Sequence, residues 1–122
     1  MLHYLVIGKK GEILILSDRS SNLSTEVDTV EISVEINENI TEDILSLRNT
    51  SEFKMKVLRA RRDVLLKNSD TLYIEAETKS VKVQEVKDYK KALRELPNIV
   101  DIELVNLENL STVFPFPPSL KE

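Results

Sequence analysis

The chain has 122 residues, a formal net charge of −4 and no cysteine. That length suits one domain, or one domain with an appended arm. The missing thiols exclude disulfides, thiolate nucleophiles and Cys-ligated metals. With three Phe, three Tyr and no Trp, the core must come from Leu, Ile and Val. So thin a core is expected to lean on a partner or on self-association. No charged leader and no long apolar run opens the chain, which reads as a soluble, intracellular product with no membrane span.

Residues 1–40 read as a small β-sheet module. The apolar run His3 to Ile7 and the run Glu12 to Leu16 bracket Gly8-Lys9-Lys10-Gly11, a β-hairpin signal. A polar loop follows over residues 17–28. Then Val30 to Ile36 alternates apolar with polar, the pattern of a strand with one wet face.

Residues 41–97 read as helical. Thr41 before Glu42 and Asp43 can cap a short helix over 41–48. A second begins near Ser51, with Phe53, Val57, Ala60 and Val64 on one face and Leu58 and Leu65 beside them. It is predicted to stop at Asn68-Ser69-Asp70, with a loop over 71–78. Thr78 or Ser80 would then cap a helix whose stripe is Val83, Val86, Tyr89, Leu93 and Leu96, ended by Pro97. Pairing the two as an antiparallel hairpin buries both stripes. Residues 98–122 read as an extended arm, with partial alternation from Ile99 to Val105. Three of the four prolines fall in Phe114-Pro115-Phe116-Pro117-Pro118, which should lie close to polyproline II. The fold class expected is therefore α+β: a sheet made of a hairpin plus a third strand, then the two-helix hairpin and a Pro-rich arm.

No set of groups for catalysis stands out. Both glycines sit in the hairpin turn, so no Gly-rich phosphate loop exists, and His3 stands alone in a strand. Carboxylate neighbours such as Glu42 with Asp43, or Glu75 with Glu77, are ordinary solvated surface. The expectation is a non-enzyme with no cofactor and no metal. From Lys54 to Lys67 there are six cations against one anion, Asp63. Such a stripe marks a solvated face or a docking site for an acidic protein, and nucleic acid is the weaker partner on an acidic chain.

Three elements in order resemble a known pattern. They are Arg61-Arg62-Asp63-Val64-Leu65-Leu66-Lys67-Asn68-Ser69-Asp70, Tyr89-Lys90-Lys91-Ala92-Leu93-Arg94-Glu95-Leu96-Pro97, and Phe114-Pro115-Phe116-Pro117-Pro118. Together they resemble the phage tail assembly chaperone family of the small tail-fibre-assembly type, over roughly half the chain. Departures are Thr71 where an aromatic is common, Glu95 for Asp, and Phe114 for Trp. The resemblance implies a helper that binds a phage tail fibre or other tail protein in the host cytoplasm during assembly. A structural component of the tail, baseplate or fibre attachment is the alternative, and a small nucleic-acid-associated protein the second alternative.

The partner-binding candidates are Phe114, Pro115, Phe116, Pro117 and Pro118 in the arm, with Lys56, Arg59 and Arg62 in the basic stripe. Asp70, Tyr89, Leu93 and Arg94 are the residues expected to lock the hairpin. Asp70 either caps the turn after the first helix or pairs with Arg94 from the returning one. The arm either packs back on its own domain or docks into a partner.

Overall fold

A computed structural model describes residues 2–20, 29–35, 46 and 50–120. Three strands form the sheet: β1 (Leu2–Ile7), β2 (Ile13–Ser17) and β3 (Val30–Glu35). β1 is central and antiparallel to both neighbours, giving the order β2-β1-β3. The end of the third strand at Ile36 lies outside the described residues, as does the short helix expected over 41–48 except for Ser46.

The hairpin turn closes as its glycines demand. The Gly8 N–H donates to Glu12 O at 2.8 Å and the Gly11 N–H to Gly8 O at 3.1 Å. Gly11 holds φ at 81°, the left-handed region that glycine enters without penalty. It also lies against Leu107, whose Cβ and backbone occupy the space a Cβ at position 11 would need. Gly11→Ala should therefore lower stability by about 2 kcal/mol, combining the left-handed cost with a backbone clash. Gly8→Ala should cost less, because the flexible Glu12 side chain is what it would meet. Urea midpoints for the two variants check the order.

Along β3, Val30, Ile32 and Val34 are buried while Glu31, Ser33 and Glu35 alternate outward. The inward side is covered by α1 (Ser51–Lys79), capped by Thr50, whose Oγ accepts the Phe53 N–H at 3.2 Å. Its first half buries Phe53, Val57, Leu58 and Val64.

The predicted stop at residues 68–70 does not occur, and residues 71–78 are helix. No Gly or Pro interrupts the segment, and Ser69 turns its hydroxyl onto the Leu66 carbonyl at 2.6 Å rather than capping. The helix ends at Ser80, which takes the left-handed conformation. Its N–H donates to Glu77 O, and the Val81 N–H donates to Ala76 O. That is the Schellman arrangement with serine where glycine is usual.

Three residues then lead into α2 (Val83–Ile99), which buries Val86, Tyr89, Leu93 and Leu96 as its periodicity predicts. α2 runs two residues past Pro97, because proline removes only its own donor there and the Val100 N–H still bonds Leu96 O at 3.0 Å. At 1.5 Å per residue α1 is about 43 Å long and α2 about 25 Å. The shorter helix therefore matches only part of the longer one, and the rest of α1 is left to roof the sheet.

The final segment is not one extended arm. Two 3-10 turns, Ile102–Leu104 and Leu107–Val113, come first. Leu107 and Leu110 enter the same core cluster as Leu5, Ile32, Val57 and Leu96, and Ile102, Val105, Val113 and Phe114 pack against it. The spacing of these residues by three is the 3-10 period, which suits burial of one side of a turn and not a strand. Beyond Val113, Phe114 is extended (φ −78°, ψ 139°), and residues 115–120 form neither helix nor strand.

Candidate partner-binding surface

The cations of α1 have separate roles. Arg61 is buried, 1% exposed, and its Nη2 donates to Gly8 O at 2.7 Å and Lys9 O at 3.2 Å. The sequence places it in a solvated stripe. In the fold it pins the β-hairpin turn to the helix. Lys56 lies over β3, its Nζ donating to Ser33 O at 2.9 Å with Glu52 at 3.9 Å. Arg62 is turned onto neighbouring Asp63 at 3.0 Å. Of the three cations proposed for docking, Arg59 is the exposed one with no ion pair among the described residues.

The hairpin is locked by other contacts than those expected. Tyr89 and Leu93 are buried between the helices, as predicted. Asp70 neither caps α1 nor meets Arg94. It lies inside the helix, and its Oδ1 accepts from Lys90 Nζ at 2.7 Å. The same ammonium stands 5.2 Å from the centre of the Tyr73 ring, within reach of a cation–π contact. Lys90, one turn before Arg94, is the residue brought level with Asp70, because α1 continues past the expected stop. Arg94 remains exposed near Lys87 and Lys91.

Burial raises the pKa of the Tyr89 phenol above its ordinary 10.0. The neutral hydroxyl is the form favoured by folding, so this contribution is intact below pH 10 and lost as pH rises through the higher folded value. Alkaline unfolding should begin above that pH, and Tyr89→Phe should move the transition upward when helical signal is followed against pH. An unchanged transition would place the responsible group elsewhere.

The arm is anchored at both ends. Phe114 and Pro115 are half-buried, as are Pro118 and Leu120, and Lys82 at the hairpin turn donates its ammonium to Ser119 O at 2.6 Å. Between those anchors Pro117 is exposed and Phe116 stands 94% exposed. The arm thus packs back on its own domain and still presents one aromatic outward. A truncation that spares the core begins at Pro115, since Val113 and Phe114 pack against it.

One surface was not picked out from the sequence. Leu14, Ile15 and Leu16 of β2 are exposed. The signal was present: Ile13 to Leu16 is apolar at every position, and a strand can bury only one face against a single layer. Among the described residues no group of His, Asp or Glu could hold a metal ion, and no helix is long and apolar enough to cross a membrane.

No family model, characterised protein or solved structure matches this chain.

Proposed function

We propose that this chain is a phage tail accessory protein, a tail-fibre or tail assembly chaperone that acts by protein–protein binding. Its support in sequence is the ordered set of three elements at 61–70, 89–97 and 114–118. In the fold, the first two meet across the α1–α2 hairpin and the third is strapped back to the hairpin turn.

The observation that carries the binding reading is Phe116. An aromatic held between prolines, with its flanks already anchored, loses little conformational freedom on docking. Its segment is suited to a partner groove lined by aromatics, of the kind that takes polyproline II. The nucleic-acid alternative loses support, because Arg61 is buried and Lys56 and Arg62 are engaged within the chain.

Quantitative mass spectrometry of infected lysate and purified particles tests the role. A helper should be abundant in the lysate and absent from particles, whereas a fixed copy number per particle would make the chain a building block of the tail. With a co-expressed fibre protein, Phe116→Ala should abolish co-purification while leaving the melting temperature unchanged. Undiminished capture by that variant would remove the arm from the interface.

A further inference from the structure

We propose that two copies of this chain associate through β2, edge to edge and antiparallel about a two-fold axis at Leu14, to form one continuous six-stranded sheet. The inference is independent of the role given to Phe116.

It starts from the unequal treatment of the two sheet edges. At β3 the flank of α1 lies alongside, with the Lys56 ammonium on the Ser33 carbonyl, and Glu31 and Glu35 add charge. Charge and cover are how native sheets blunt an edge. β2 has neither. Its five residues, Ile13–Ser17, include no charge and no proline, and among the described residues it pairs only with β1. Leu14 is 54% exposed, Ile15 43% and Leu16 40%, three of the eight large apolar residues left exposed among those described.

The chemistry of the occupant follows from the geometry. Leu16 lies opposite Leu5 on the core side of the sheet and Ile15 opposite Val6 on the other side. A groove or a flat surface would cover one face of the strand and leave the other wet. A strand added in the plane of the sheet covers both and completes the row of backbone donors and acceptors at the same time.

Charge selects a second β2 and its register. An axis at Ile15 would set Glu12 of each copy against Asp18 of the other, a destabilising like pair. An axis at Leu14 avoids that pair, setting Leu14 on Leu14, Ile13 on Ile15 and Glu12 on Leu16, and it brings Lys10, in the turn beyond the strand, to the end of the partner strand that carries Asp18. Leu14 is also the residue that the β1–β2 ladder skips, so it has no partner in β1. Because β3 is covered, the same edge meets itself and the assembly closes as a dimer instead of growing into a filament. A five-residue strand gives an interface at the small end of the specific range, so the dimer should dissociate on dilution.

Sedimentation velocity of the full chain, from low micromolar to submillimolar concentration, should show a reversible monomer–dimer equilibrium. Ile15→Lys should be monomeric throughout, with unchanged circular dichroism. In this cysteine-free chain, Leu14→Cys should oxidise readily to a covalent dimer, while Ile74→Cys, 64% exposed on α1, should not. Asp18→Lys should weaken association several-fold, and adding Lys10→Glu should restore it. A wild type that stays monomeric at every concentration, dimers that survive Ile15→Lys, or equal cross-linking at positions 14 and 74 would each overturn the proposal. Should Ile15→Lys fail to fold, the Leu14→Cys and charge-swap results decide the matter alone.

Discussion

Replacing Arg61 with methionine should cost the protein about 2–4 kcal/mol, and replacing it with alanine about 3–5 kcal/mol, read as shifts in the urea midpoint. Methionine keeps most of the aliphatic volume and removes the donors, the hydrogen bonds to Gly8 O and Lys9 O among them. Those carbonyls belong to the β-hairpin turn; Gly8 O is the buried one, and without the guanidinium it keeps only the longer bond from the Gly11 N–H among the described contacts. Alanine adds a cavity beside Val57 and Val64. Arg62→Ala is the control: among the described residues its guanidinium is paired with the exposed Asp63, an ion pair worth at most about 1 kcal/mol. Equal midpoints for Arg61→Met and wild type would show that the turn does not depend on the guanidinium.

Leu93→Asp should leave the chain unfolded at room temperature. Leu93 is fully buried in the hairpin. Truncating such a leucine costs about 2–5 kcal/mol, and an unpaired carboxylate in its place adds several more. That sum rivals the whole stability of an ordinary domain, about 5–15 kcal/mol. Far-UV circular dichroism should lose most of its helical signal, and a native-like melt of Leu93→Asp would disprove the hairpin packing. The sequence puts Leu65 on the same footing. The fold separates them, since Leu65 is only half-buried and outside the core cluster. Leu65→Asp should therefore be folded and measurably less stable.

What was legible in the sequence were the features set by local periodicity. Val30, Ile32 and Val34 announce a strand, Gly8 and Gly11 announce its neighbour's turn, and Val86, Tyr89, Leu93 and Leu96 announce a helix face. What escaped depended on partners distant in the chain. Asn68, Ser69 and Asp70 are weak helix formers, but each costs only about half a kcal/mol against alanine. Packing of Ala76 and the hairpin contacts outweigh them.

Because α1 continues, its register against α2 shifts, and Asp70 finds Lys90 instead of Arg94. Arg61 was read by its charge, although it lies between Val57 and Val64 on the buried stripe. The arm was read by its prolines, while the spacing of Leu107 and Leu110 was the truer guide to where the chain goes. Of the candidate site, the exposed aromatic in the Pro-rich segment was foreseen. The bare edge of β2 was not, because a strand's edges are assigned only once its neighbours are known.

The contact between Leu107 and Gly11 also bears on how the chain reaches its fold. Those two residues are separated by most of the molecule, yet the turn is covered only when the terminal segment returns to it. The hairpin and the sheet around β1 are local and can form early, while closure of the core requires a long-range loop to shut. During synthesis the apolar side of the sheet therefore lacks part of its cover until Leu110 has cleared the ribosome. Until residues 107–113 pack on it, that side of the sheet is open to wrong partners.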